Sequence, residues 1–368
     1  MAALPAVNLG TGRWAKALVC GAGSTCAVLD DDTLKCWGGN AAFTGPGSNL
    51  DRGVYPEQMG DGLPPIDLGT GRTVKHVSAG LDHWCAILDD DSVKCWGSDY
   101  QSATGTGDFV DRTVMGDARP RVRLGTGRTA RRVSAGFAFS CAILDDGSVK
   151  CWGSNTSGQL GIGSGVHSLG WKSDQMGDAL AKVSLGAGRT AREIATGVAH
   201  ACVILDDDTV KCWGGNEQGQ LGLGDVRSRG QASVDMGDAL PVVDLGTGRR
   251  AIALAMSASA SHTCVVLDDH TLKCFGWNAE GQLGLEDTNA RGGSPDTAGD
   301  ALDTVPLGAG FLVDVAGVGN GHTCALGLAL VKCWGRNDFG QLGLEHTIAI
   351  GGAPGSMGAM LPPVNVSF

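Results

Sequence analysis

Apolar positions along this chain come in short bursts, β-branched and bounded by glycine or aspartate, as in "PVVDLG", "RRVSAG", "CAIL" and "SVKCWG". Such bursts predict strands. No window places apolar residues at helical spacing over the roughly 11 positions that an amphipathic helix needs. The bursts recur in a fixed order. Cys26, Cys85, Cys141, Cys202, Cys264 and Cys324 each open the same phrase, 59, 56, 61, 62 and 60 residues apart. A consensus follows: "LPxVDLGTGRTA", then "VSAGxxH" and the cysteine phrase, then "NxxGQLGLGD", then a variable stretch ending in "MGDA". About four short strands fall in each unit, and repeats of this size and content are the signature of β-propeller blades. The expectation is an all-β fold, a β-propeller of six four-stranded blades occupying residues 1–368 as a single domain, with seven-bladed closure as the alternative.

The cysteine phrase has a geometry of its own. In "CAILDDDSVKC", folding about Asp90 sets Cys85 opposite Cys95 and Ile87 opposite Val93, on one face of a hairpin. Its three-residue loop needs a left-handed third residue. Asp32, Asp91, Gly147, Asp208 and His270 stand there, all of tolerant types. The sixth hairpin, "CALGLALVKC", is one residue shorter and lacks the acidic tip. Directly opposed β-carbons can relax to the ~3.8 Å of a disulfide. Disulfides Cys26–Cys36, Cys85–Cys95, Cys141–Cys151, Cys202–Cys212, Cys264–Cys274 and Cys324–Cys333 are therefore expected, one per blade. Buried thiols are the alternative, and zinc is disfavoured because closely spaced ligand pairs such as C-x2-C are absent. Cys20 aligns with Ala79, Ala135, Thr196, Ala258 and Val318 and reads as a buried small residue, or else as an intermolecular bridge.

Paired cysteines imply an oxidising compartment, hence an extracellular or cell-surface location, with any export signal removed or outside this chain. The start, "MAALPAVNLGTGRW", already belongs to the repeat. No apolar run approaches the roughly 18 residues of a membrane span, so membrane insertion is not expected. The formal charge of -11 repels polyphosphate, which argues against nucleic acid.

The phrases "VSAGLDHWCAILDDDSVKCWG" and "NEQGQLGLGD" resemble the repeats of the regulator-of-chromosome-condensation family, over all six units. The resemblance implies a propeller, usually of seven blades. It carries the turn histidine onto His83, His200, His262 and His322, with Ser24 and Phe139 replacing it, and the aromatic onto Trp37, Trp96, Trp152, Trp213, Phe275 and Trp334. The first two units have "NAAFTGPG" and "DYQSATGTG" instead of the G-Q-L-G loop. The founding member's nucleotide exchange on a nuclear GTPase does not transfer, because cysteine pairing and acidity point elsewhere. Secreted relatives with paired cysteines, and a propeller-type β-lactamase inhibitor that grips an enzyme with its rim loops, are nearer models by resemblance.

No serine-histidine-acid set and no phosphate loop is visible. The repeated histidines read as satisfied turn residues and the acidic tips as solvated turns, with a channel metal and calcium as their functional alternatives. No cofactor is implied. One stretch is strongly basic: Arg112, Arg119, Arg121, Arg123, Arg128, Arg131 and Arg132 against Asp117 alone. Arg121, Arg123, Arg128, Arg131 and Arg132 form either a charged blade edge or a docking patch for an acidic partner. Asn155 and Asn365 begin the triplets "NTS" and "NVS" of glycosylation acceptors. Seven outer-strand phrases, from "LPAVNLG" to "LPPVNVSF", accompany six hairpins, so one terminal strand is surplus and could pair with another copy. The expected function is a non-enzymatic, secreted or surface-exposed propeller that binds a protein or glycan partner through rim loops. A structural subunit of an extracellular assembly or filament, with the chain itself as partner, is the alternative, and an enzyme of the central channel is the third reading.

Overall fold

A computed structural model describes residues 6–39, 51–107 and 114–365. The described chain is all-β apart from short 3-10 turns, and it forms six antiparallel sheets. Three consecutive strands make each sheet: Ala15–Cys20, Ser24–Leu29 and Leu34–Gly38 in the first blade; Val74–Ala79, His83–Leu88 and Val93–Gly97 in the second; Ala130–Ala135, Phe139–Leu144 and Val149–Ser154 in the third. Ala191–Thr196, His200–Leu205 and Val210–Gly214 make the fourth, Ala251–Ala255, His262–Leu267 and Leu272–Gly276 the fifth, and Val315–Val318, His322–Gly327 and Leu330–Gly335 the sixth.

The hairpins form in the expected register, with Cys85 opposite Cys95 and Ile87 opposite Val93. All six disulfides are present, with Cα atoms 4.0–4.1 Å apart. The third tip residue is left-handed in five hairpins: Asp32, Asp91, Gly147, Asp208 and His270, at φ 61–76°. In the sixth, Leu328 and Ala329 both take positive φ, 54° and 58°, to close a two-residue turn.

The expected fourth strand is thinner than a strand. "LPxVDLG" runs extended and joins a sheet through single backbone bonds: Ile66 N to Leu34 O, Val122 N to Val93 O, Val183 N to Val149 O, Val243 N to Val210 O, Val305 N to Leu272 O. Each phrase therefore completes the blade before it in sequence. The chain's last phrase is no exception, since Val364 N donates to Val331 O. The strand at 361–365 is used by its own last blade. Among the described residues, the third blade alone gains a true fourth strand, Ser168–Leu169.

The chain divides into two compact units. Among the described residues, one unit holds those from 6 to 156 and from 166 to 183, and the other those from 157 to 165 and from 184 to 365. Within each, second strands are buried on both sides, which explains their unbroken apolar runs. Cys26, Val28, Leu34 and Cys36 of the first blade pack with Val77, Trp84, Ala86, Leu88 and Trp96 of the second. Cys85, Ile87, Val93 and Cys95 pack with Val133, Ala142, Leu144 and Trp152. In the other unit, Cys202, Ile204, Val210 and Cys212 meet Val265, Leu267 and Phe275, while Cys264, Val266, Leu272 and Cys274 meet Val313, Ala325 and Trp334. The disulfide face of one blade thus covers the aromatic face of the next.

Candidate functional site

Most of the recurring polar side chains are occupied inside this packing. In G-Q-L-G, the glutamine carbonyl accepts the next blade's indole: Trp213 Nε1 to Gln159 O and Trp334 Nε1 to Gln282 O, both 3.0 Å. The second unit lacks the motif, yet Ala103 O accepts Trp152 Nε1 at 3.0 Å. There Ser102, at φ 66°, stands where Gly158 has φ 83° in the following repeat. The asparagine that opens each loop is a staple. Asn216, Asn278 and Asn337 accept from Leu221 N, Leu283 N and Leu342 N through Oδ1, at 2.9–3.0 Å, and donate through Nδ2 across the loop.

Asn155 belongs to this set, which corrects its reading as a glycan acceptor. It is 1% exposed, and its Nδ2 donates to Val166 O at 2.8 Å, so the folded chain does not offer it. Asn365 is exposed, and the rest of its triplet lies outside the described residues. Cys20 is exposed, not buried as expected.

Histidines fill the turn role in part through a neighbour. His83 Nε2 meets Ser140 Oγ at 2.8 Å, His200 Nε2 meets Thr263 Oγ1 at 2.9 Å and His262 Nε2 meets Thr323 Oγ1 at 3.0 Å, each on the next blade. Burial pushes His83 down to about 4 and His200 and His262 down to about 3. They are neutral at pH 7. Among the described residues, no three His, Cys, Asp or Glu side chains converge as metal ligands would.

A lysine row went unread in the sequence. The Lys of "VKCWG" is buried in every blade: Lys211 Nζ donates to Leu185 O and Gly237 O at 3.0 and 2.7 Å, Lys94 Nζ to Leu68 O and Gly116 O at 2.9 and 2.7 Å. It ties the "LG" of one phrase to the "MGDA" turn of the next. Burial lowers the pKa of both, against the nearby carboxylates Asp238 and Asp117. The hint was the alternation itself, a lysine facing inward between two apolar residues of a buried strand.

The arginine stretch is largely paired. Arg121 meets Asp90 at 2.8 Å, Arg128 meets Asp145 and Asp146 at 3.0 and 3.1 Å, and Arg123 donates to Ser173 O. Arg119 is buried with Nε on Cys95 O. Arg131 and Arg132 point outward from Ala130–Ala135. Arg112 lies outside the described residues. Arg121, Arg123 and Arg128 line a groove of about 470 Å³ together with Asp90 and Asp178, so its charge is mixed. Arg128 is also one case of a repeated pair: Arg13, Arg72, Arg189 and Arg249 bind their own hairpin tips in the same way. The tips are therefore ion-paired as well as solvated.

What remains available are the loops between "GQLG" and "MGDA". They carry Tyr55, Trp171, Val226, Val234 and Ile348, each more than half exposed, and Tyr100 and Phe339 stand at the entry to their loops with the same exposure. Lys172 Nζ lies 4.4 Å above the Trp171 ring. Aromatic and apolar groups held out on otherwise polar loops are the composition of a protein-contact surface.

Comparison with known proteins agrees with these repeats. The family model "Regulator of chromosome condensation (RCC1) repeat" matches residues 74–102, 130–159, 191–220 and 254–282. The ultraviolet-B receptor UVR8 of Arabidopsis thaliana is 27% identical over 334 residues, 89% of this chain and 66% of that protein. The probable E3 ubiquitin-protein ligase HERC6 of Homo sapiens is 28% identical over 249 residues, 68% of this chain and 23% of that one. The match thus takes in less than two thirds of each relative. Among solved structures, human WBSCR16 aligns with a TM-score of 0.69 at 17% identity, over 97% of this chain and 83% of that chain. Yeast RCC1 (Prp20), in its structure with Kap60, aligns at 0.64 and 18%, over 95% and 75%. These likenesses show the fold, a β-propeller class of repeated blades.

Proposed function

Because this chain is built from RCC1 repeats, we propose that it is a non-enzymatic propeller, one domain of six blades, that binds a partner through the loops between "GQLG" and "MGDA". The observation that carries this reading is a division of labour. Histidines bond to the next blade, lysines tie successive phrases, arginines pair with their own hairpin tips and asparagines staple their own loops, while Trp171, Tyr55, Val234 and Ile348 are held in solvent. Partner anchors are drawn from such aromatic and apolar side chains. Protein is the first partner class to test, since structures of yeast Prp20 concern Kap60, Gsp1p and histones. A glycan could stack on Trp171 in the same way.

The six disulfides support an extracellular or cell-surface location. No helix among the described residues is long and apolar enough to cross a membrane. The outward pair Arg131 and Arg132 is the part of the basic stretch we assign to an acidic edge of that partner. The test is an affinity capture from the extracellular fraction of the source, with wild-type chain and Trp171→Ala as parallel baits. A partner retained by the wild type and lost by the variant, at unchanged thermal stability, supports the loop reading. Equal capture by both, or none by either, removes it.

A further inference from the structure

In five repeats the aspartate of the "MGDA" turn reaches back to the "LGTG" phrase. Asp61 accepts from Thr11 N, Asp117 from Thr70 N, Asp178 from Thr126 N, Asp238 from Ala187 N and Asp300 from Thr247 N, all at 2.8–3.0 Å. The buried lysine of the same repeat feels that carboxylate, as Lys94 feels Asp117, Lys150 Asp178, Lys211 Asp238 and Lys273 Asp300. The sixth repeat keeps the lysine and loses the acid. Ala359 stands at the aspartate position, Ala309 at the threonine and Phe311 at the arginine. Ala187 shows that alanine at the threonine position still presents its N–H to the carboxylate.

The backbone around these exchanges is unchanged. Gly358 N donates to Pro306 O at 2.7 Å, as Gly299 N does to Asp244 O and Gly237 N to Ser184 O, and Gly299 and Gly358 hold φ 60° and 66°. Lys332 is buried on Leu307 O and Gly358 O at 2.8 and 3.0 Å, which leaves the third donor of its ammonium. A β-carbon set on Gly246 would lie 2.7 Å from Asp300 Oδ1 and 3.2 Å from Lys273 Nζ, whereas on Gly308 it would lie 3.6 Å from Lys332 Nζ with no carboxylate nearer. Ala309 N has no acceptor among the described residues. A buried ammonium without a counter-charge is a costly state that an anion relieves. The same exchanges make the adjoining groove apolar. Pro306, Phe311 and Leu312 replace the Arg123, Arg128 and Thr129 of the third repeat, and with Leu307, Gly308 and Gly358 they line a cleft of about 460 Å³.

We propose that this cleft binds a small carboxylic acid with an apolar body: its carboxylate takes the place of the missing aspartate, against Ala309 N and the Lys332 ammonium, and its body lies along Pro306, Phe311 and Leu312. A few fixed polar groups at the end of an apolar cleft are the usual make-up of a small-molecule site. The cleft shares none of the loop side chains assigned above, so either reading stands if the other falls.

Calorimetric titration of the full chain tests it, with octanoate, octanol and N-acetylaspartate amide as probes. Octanoate should bind saturably at one site. Octanol lacks the carboxylate and should bind about tenfold more weakly or worse, the loss of a charge-assisted hydrogen bond. N-acetylaspartate amide carries the carboxylate of an acidic side chain without the apolar body, and it should be weaker by at least as much. Ala359→Asp returns the carboxylate of the other repeats at an exposed position, and it should weaken octanoate about tenfold or more. If that variant loses its fold, the three probes on the wild type decide. No saturable binding of octanoate, octanol bound as tightly, N-acetylaspartate amide bound more tightly, or a folded Ala359→Asp chain that binds octanoate as the wild type does, each overturn the proposal.

Discussion

The buried turn histidines make stability depend on pH in a defined direction. A free histidine titrates near 6.5, while His83 in the folded chain is pushed down to about 4 and His200 and His262 to about 3, chiefly by burial. Below about pH 6.5 the unfolded chain takes up protons that the folded chain refuses. Their stabilising effect is complete above that pH and falls by about 1.4 kcal/mol per pH unit for each histidine as the pH drops toward 4. Denaturant titrations at pH 7 and pH 5 should show this loss, and His200→Gln should make the slope shallower by about one histidine's share. An identical slope in the variant would assign the effect elsewhere. The lysine row acts at the same scale but through hydrogen bonds. Lys211→Met leaves Leu185 O and Gly237 O without their donor, an expected loss of about 2–4 kcal/mol in unfolding free energy.

Among the elements, the sixth hairpin departs furthest from its siblings. It lacks the tip aspartates, and Phe311 stands where the others have the arginine that pairs with them, so both halves of the ion pair are gone together. Exposed pairs of this kind contribute only about 0–1 kcal/mol, which is why the hairpin tolerates the exchange. Its turn is less well served, because Leu328 and Ala329 both sit in the left-handed region that favours Asn and Gly. Leu328 is exposed and has little packing to lose. Leu328→Asn with Ala329→Gly should therefore raise the stability of this chain by roughly 1 kcal/mol, visible as a higher Tm. A lower Tm would mean that Leu328 makes packing contacts in the folded chain that outweigh the relief of its turn.

At the scale of the molecule, the chain's end belongs to its last blade. Leu361 is 1% exposed and Val364 N donates to Val331 O. Deleting residues 361–368 should loosen the hairpin Cys324–Cys333, raising amide exchange there while the blades of the other unit keep their protection. Unchanged exchange in that hairpin would return the terminal strand to the surplus role first read for it. Non-reducing mass spectrometry of native material should find the six hairpin disulfides, and free thiols there would remove the oxidising compartment.

Strands, hairpin registers, tip conformations and disulfide pairs were legible in the sequence by itself, because each joins residues about ten positions apart and is set by alternation and turn chemistry. Six repeats and the blade type followed from the same local periodicity. Only the tertiary structure decided which blade each "LPxVDLG" phrase completes, since Ile66 meets Leu34 across an intervening loop and no local pattern records the choice. The same holds for Asn155, whose triplet reads as an open acceptor until Val166 folds over it. It holds as well for Ser102 and Ala103, which take over a glycine-glutamine motif by adopting its backbone shape. Burial and carbonyl partners come from residues distant in the chain, and side-chain type alone does not reveal them. Lys94 and Lys211 look like surface charges for that reason, until a neighbouring blade closes over each.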